Sequence, residues 1–200
     1  MRYRSVEVQV PAKVNLQLSV GPKESDGYHE VVTVFQAISI NDTVKISKGS
    51  EFSLSISGDY TSGVPLDKSN LVYKAIELMA DKFDTDRELQ ISINKSIPVA
   101  GGLAGGSADA AATLLGIDTL YGLGLTKDQL SEMARKLGSD VPFMLHGGTA
   151  VGRGHGDEVT PALSRGNYHW VIAVSSTGLS TPAVYGECDR LRTGLDIKAP

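Results

Sequence analysis

The stretch 98-PVAGGLAGGSADAA-111 decides how the rest of the chain is read. Before it, Leu89, Ile91 and Ile93 alternate with Gln90, Ser92 and Asn94, and period two predicts a strand. Behind it, residues 108–120 are alanine-rich and free of proline, which predicts a helix. Gly101, Gly102, Gly105 and Gly106 lie between the two. They let the backbone approach a ligand closely and take positive φ. The helix start behind them offers unpaired N–H groups and a positive dipole end, a combination suited to phosphate. A tight strand-to-helix turn is the plainer reading, but one glycine would serve that. No lysine precedes Ser107, so the stretch is not the common P-loop. The glycine spacing also fails G-x-G-x-x-G, and Asp109 stands where the hydrolase elbow G-x-S-x-G has its last glycine.

Outward from this loop, strands come first. Val6, Val8 and Val10 alternate with Glu7 and Gln9, and after Pro11 the apolar set is Val14, Leu16, Leu18 and Val20. Lys13 shares the open-face parity with Asn15 and Gln17. Residues 21–27 (GPKESDG) form a turn-rich connection. Residues 28–40, 43–47 and 52–57 predict further strands. A helix is expected over 70–83 with Ser69 as its N-cap. Thr126 and Gln129 form a capping box for a helix ending at Gly138. The glycine-rich stretch 147–160 reads as strand or loop, 169–174 as a strand and 181–192 as a short helix. Strands clustered ahead of helices predict an α+β fold.

Composition narrows the function classes. Two hundred residues, 41% hydrophobic and 21% charged, describe a globular chain of one large domain, or of one domain plus a fragment. A net charge of −4, with no run of Lys or Arg, argues against a nucleic-acid partner. Cys188 is the lone cysteine and cannot form an internal disulfide, so a reducing cytoplasm is expected. No apolar run approaches the roughly 20 residues of a membrane span, and the N-terminus lacks a signal-peptide core. His29, His146, His155 and His169 show no metal-ligand spacing, so no protein metal site is expected. Glycine is in excess: 13 of the 22 glycines lie between Gly101 and Gly156.

Three ordered motifs point to a family. Residues 98–111 resemble the ATP-phosphate motif of the GHMP kinases, the group of galactokinase and the homoserine, mevalonate and phosphomevalonate kinases. The segments 11-PAKVNLQLSV-20 and 26-DGYHEVVTVFQAI-38 are similar to the N-terminal signature of one branch of that family. The segment 137-LGSDVPFMLHGGTAVGRGHGDEV-159 is similar to its catalytic-aspartate segment. The resemblance implies a GHMP kinase N-terminal domain, ribosomal protein S5 domain 2-like, over residues 1–166. It implies that residues 167–200 open an incomplete C-terminal α/β domain, so that the chain reads as truncated.

The implied activity is ATP-dependent phosphorylation, with Mg²⁺, of the 2-hydroxyl of a cytidine diphosphate-linked methylerythritol on the non-mevalonate route to isoprenoid precursors. The implied protein is a cytoplasmic monomer or weak homodimer with a small-molecule substrate, no nucleic acid and no membrane. A GHMP kinase for another small alcohol and a non-catalytic nucleotide-binding fragment remain alternatives.

By this resemblance Asp140 is the base that takes the substrate hydroxyl proton, and Lys13 neutralises the developing charge. An N-cap for a short helix over 142–146 is the plain reading of Asp140, and an exposed edge lysine that of Lys13. The nucleotide loop would be Pro98, Val99, Ala100, Gly101, Gly102, Leu103, Ala104, Gly105, Gly106, Ser107 and Ala108, flanked by Asn70 and Lys95. For those two, a helix-start residue and a solvated lysine are the plain alternatives, and Ser107 has the alternative of simply capping its helix. Asn15 would touch the substrate beside Lys13. Tyr28 would stack on the cytosine base, His29 would hydrogen-bond it, and Tyr185 would close its other face.

Overall fold

The computed structural model describes residues 3–175, 177–198 and 200. Two long strands, β1 (Ser5–Lys23) and β2 (His29–Lys48), pair antiparallel along nearly their whole length. The segments expected as separate strands on either side of Pro11, and on either side of Asn41-Asp42, are therefore continuous. The register shifts between Pro11 and Ala12, between Asn15 and Gln17 and between Val20 and Lys23, at bulges that leave the pairing otherwise continuous.

The opposite edge of β2 is shared. β4 (Leu89–Lys95) pairs with residues 43–48, while β5 (Thr149–Arg153) pairs with residues 33–36. β3 (Ser53–Gly58) lies parallel to β4 outside it, and β6 (Glu158–Pro161) forms a hairpin with β5. The sheet is thus forked, with residues 37–42 of β2 at the fork.

Helix α2 (Gly105–Tyr121) rests on β1 and β2, and α1 (Leu71–Phe83), α3 (Lys127–Arg135) and α4 (Val141–His146) pack around it. Ala108, Ala110, Ala111, Ala112, Leu114 and Ile117 of α2 are all buried, so a helix apolar on every side sits in the middle of the α layer. Gly116 permits the close approach to the sheet. A Cβ there would lie 2.5 Å from Ile46 Cδ1 and 3.5 Å from Val8 Cγ2. The α+β expectation holds, and the fully buried hydrophobic residues all fall between Val10 and Ala150.

Several boundaries differ from expectation for local reasons. Asn70, not Ser69, caps α1: its side chain accepts from the Val72 N–H at 2.9 Å. The Thr126–Gln129 capping box is present, but α3 ends at Arg135 and the chain only turns through to Gly138. Helix α2 begins three residues before Ala108, inside the glycine stretch. Residues 169–174 are not a strand; no neighbouring strand among the described residues pairs with them, and Val171 is 99% exposed. Helix α5 (Thr181–Leu191) forms as expected and buries none of its residues. Among the described residues no helix is long and apolar enough to cross a membrane.

Gly116→Val is expected to lower the unfolding free energy by about 1–3 kcal/mol, since the added side chain must push α2 off the sheet. Urea denaturation measures it, and a variant as stable as wild type would show that the helix–sheet distance is not set there.

Candidate active site

Lys13 lies on β1 just past the bulge at Pro11/Ala12. The residues left unpaired at this shift, Ser39 and Ile40, belong to β2; Ala12 and Lys13 are nevertheless both buried, Lys13 beside Asn15, Phe35 and Asp140, and the expectation of an open-face lysine is overturned. Leu16, the unpaired residue of the next bulge, and Leu18 beyond it, both read from the sequence as core, are 38% and 50% exposed. The Lys13 ammonium donates to Asn15 Oδ1 at 2.8 Å, and Asn15 donates in turn to the Thr33 hydroxyl at 2.6 Å. Thr33 donates to the Gln17 carbonyl at 2.8 Å. The ammonium lies 5.7 Å from the centre of the Phe35 ring, which stacks on Phe143 of α4. This chain of contacts fixes the lysine in one orientation.

Asp140 faces it, with Oδ2 3.7 Å from Lys13 Nζ. Asp140 does occupy the N-cap position of α4, but with helical φ and ψ and no side-chain capping bond. A carboxylate that caps its own helix cannot also face a lysine across the cleft, and here the cleft has it. Pro142, near the helix start, removes one N–H that would otherwise want a cap.

The glycine loop reaches the same place. It leaves β4 beside Asp42 and meets β1, where the Lys13 N–H donates to the Leu103 carbonyl at 3.2 Å. Ala100, Gly102 and Ala104 all have positive φ. Ala104 stands at the N-cap of α2 with no side-chain bond. Among the described residues the N–H groups of Gly105, Gly106 and Ser107 have no backbone acceptor, so they are free to receive an anion. Ser107 lies in the first turn of α2, not at its cap. The start of α1 adjoins this turn: a Cβ at Gly106 would lie 3.9 Å from Leu71 Cδ1. Asn70 is held there by donating to the Pro65 carbonyl at 2.7 Å.

Lys95 is not a solvated lysine. It is 1% exposed and bonded to the carboxylates of Asp42 and of Asp109, the latter at 2.7 Å. Its ammonium lies directly beneath the loop, 3.1 Å from where a Cβ at Gly105 would stand. Burial, only partly offset by Lys95, raises the Asp109 carboxyl to about 7.

At the other end of the β1–β2 pair, aromatic groups gather. His29 Nε2 lies 2.8 Å from Asp189 Oδ1 on α5, and its ring stacks on Tyr185 at 5.0 Å. Burial first, and the charge of Asp140 second, raise the Tyr185 phenol above its ordinary value. Tyr28 does not join the His29–Tyr185 stack. It stacks on His155 of the β5–β6 turn at 4.6 Å and remains 59% exposed. Asp26 lies 3.5 Å from His155, and with Glu24 these form an exposed cluster that sequence spacing does not reveal. Sequence reasoning also missed Asp42, Asp109 and Asp189. Asp109 left one signal, as the lone charge among the alanines of 108–112.

Residues 70–148 match the family described as GHMP kinases N terminal domain. The chain carries a GHMP kinase N-terminal domain. A curated relative from Rhodococcus jostii, named 4-diphosphocytidyl-2-C-methyl-D-erythritol kinase, is 53% identical over 189 residues, covering 94% of this chain and 61% of the relative. A crystal structure of 4-(cytidine 5'-diphospho)-2C-methyl-D-erythritol kinase matches with a TM-score of 0.61 and 37% identity, over 78% of this chain and 55% of that one. Mevalonate diphosphate decarboxylase from Staphylococcus aureus shares the fold, with a TM-score of 0.62 at 18% identity over 90% of this chain and 58% of that one. The chain therefore spans about three fifths of the length of the curated relative, and within the GHMP kinase domain the glycine loop, Asn70 and Asp140 all lie in the matched region.

The raised Asp109 carboxyl gives the domain a pH signature. The folded state holds that proton more tightly than the unfolded chain, so stability falls as pH rises from about 4 to about 7. Asp109→Asn is expected to flatten this slope in a melting-temperature series. An identical pH profile in the variant would remove Asp109 as its source.

Proposed function

We propose that the chain phosphorylates the 2-hydroxyl of 4-diphosphocytidyl-2-C-methyl-D-erythritol at the expense of ATP. The observation that carries this reading is the facing of Lys13 and Asp140 at 3.7 Å, with the Lys13 backbone itself bonded to the glycine loop. A base, a cation and a phosphate cradle thus share one mouth. Much of phosphoryl transfer is positioning and charge stabilisation, so this set suffices. The match to relatives that bear this substrate in their name supports it.

In this reading ATP lies along Pro98, Val99, Ala100, Gly101, Gly102, Leu103, Ala104, Gly105, Gly106, Ser107 and Ala108, with Asn70 at the flank and Lys95 beneath. The free N–H groups of the first turn of α2 receive phosphate oxygens. Mg²⁺ arriving with the nucleotide would be held by phosphate oxygens and the Ser107 hydroxyl, and supplies further charge neutralisation. Asp140 accepts the proton of the substrate hydroxyl as its oxygen attacks the γ-phosphorus. Lys13, oriented by Asn15, stabilises the charge on the attacking and transferring oxygens, and ADP departs. Tyr28, His29 and Tyr185 bind the cytosine base. The exposed face of Tyr28 is available to the base while His155 supports the other. A substrate without a nucleobase gives these aromatics no purpose, which favours this alcohol over others. Residues 1–166 form the catalytic domain, and 167–200 open a second one.

Asp140→Asn is expected to lower kcat by roughly 10²–10⁴-fold, the scale of lost general-base catalysis, with ATP binding intact. Turnover near wild type would remove Asp140 from the base role. Tyr28→Ala is expected to raise KM for the cytidine substrate and leave KM for ATP alone; an unchanged substrate KM would sink the stacking role. Detection of the phosphorylated product by phosphorus NMR tests the reading as a whole: a chain that binds ATP and yields none is a nucleotide binder only.

A further inference from the structure

Asp42 and Asp109 have no part in the chemistry above, yet both are buried beneath the nucleotide loop, at 0% and 3% exposure. Asp42 sits on β2 at the fork of the sheet. Its Oδ1 accepts from the Ser96 N–H at 2.7 Å and the Ile97 N–H at 2.9 Å, and its Oδ2 from the Lys95 ammonium. Lys95 also donates to Asp109 Oδ2 at 2.7 Å, and Asp109 lies in the second turn of α2. These groups bracket the loop: residues 95–97 enter it and residue 109 leaves it.

Between the brackets the loop has little support of its own. Three of its residues take positive φ, the run from Val99 to Gly102 is exposed, and a bond from the Lys13 N–H to the Leu103 carbonyl ties it to the strand layer. We propose that Asp42 and Asp109 are positioning residues for this loop: acting through Lys95 and the backbone, they clasp its two ends and so set where its free N–H groups point. The proposal rests on the reading of the loop as the nucleotide site.

Two features distinguish a clasp from mere core filling. Apolar residues fill a core as well as ions do, and often better. Ions, unlike apolar groups, make directional bonds, and here those bonds end on the two backbone N–H groups that start the loop. The charge count also fits. Two carboxylates and one ammonium would leave a negative charge under an anion site; a proton on Asp109, which burial favours, cancels it.

The test uses the full chain and four proteins: wild type, Asp109→Ala, Asp109→Asn and Asp42→Asn. Hydrogen exchange is read in peptides covering residues 97–113, and affinities are measured for ATP and, as a probe of the other site, cytidine diphosphate. Asp109→Ala is expected to speed exchange in those peptides and to weaken ATP roughly tenfold, the scale at which outer-shell partners act. Its cytidine diphosphate affinity should not change. Asp109→Asn keeps an acceptor for Lys95 and should restore both readouts.

Asp42→Asn keeps the volume but turns an amide N–H₂ toward Lys95 or the backbone N–H groups. It should loosen the loop as well, and it carries the test where Asp109→Ala fails to fold. Unchanged loop exchange and ATP affinity overturn the clasp. So does an equal loss of both ligands, which marks general destabilisation, or an Asp109→Asn that behaves like Asp109→Ala. A wild-type chain that binds no ATP, while Asp109→Ala still loosens the loop, overturns the nucleotide reading and with it the role of the clasp there.

Discussion

The fork in the sheet is the constraint on which the site depends. Over residues 37–42, one edge of β2 has neither β4 nor β5 as a partner. Backbone groups at such an edge must find other partners. Ala37 donates to the Gly148 carbonyl, just before β5. At the other end of the gap, Asp42 takes the first two N–H groups after β4. The two segments that bring chemistry into the cleft, the glycine loop after β4 and the α4 turn before β5, therefore enter through one gap. Lys13 pairs with Ala37 across β2, opposite that gap. A sheet fully paired on both edges would have no opening there.

Much of the strand layer was legible because period two survives wherever one face is buried. β4 alternates strictly between buried and exposed, as its sequence does from Leu89 to Asn94. The rule failed where residues distant in sequence cover the second face. Lys13 has the parity of an exposed residue, but Phe35 and Asp140 lie against it, and no pattern within residues 11–20 announces that. The strand expected over 169–174 does not form for a different reason. A strand needs a partner to satisfy its backbone, and pairing is not a property of the segment itself.

The site was legible where contacts are local in sequence and illegible where they are not. The glycine loop, Lys13 and Asp140 stand in contiguous motifs. Asp42 falls between the strands expected over 28–40 and 43–47, although the chain continues through it as β2. Its partner Lys95 is 53 residues away, and Asp189 is 160 residues from His29. Such pairings arise from topology. The stacking of Tyr28 on His155 rather than beside His29 is of the same kind.

Helix caps separate the site from the rest of the fold. Asn70, Thr126 and Ser180 each bond the first turn of the helix they begin, as N-cap residues ordinarily do. The other two helix starts have no such bond: Ala104 before α2 and Asp140 before α4. A missing cap costs about 1 kcal/mol. Asp140 has a side chain able to cap and turns it to Lys13 instead. Ala104 has none, and takes positive φ besides. The two uncapped starts are those that border the Lys13 cleft, one by its carboxylate and the other by its free N–H groups. Stability withheld at those two places, and supplied at the other three, is consistent with the proposed reading, in which the groups left unpaired receive the nucleotide and the substrate.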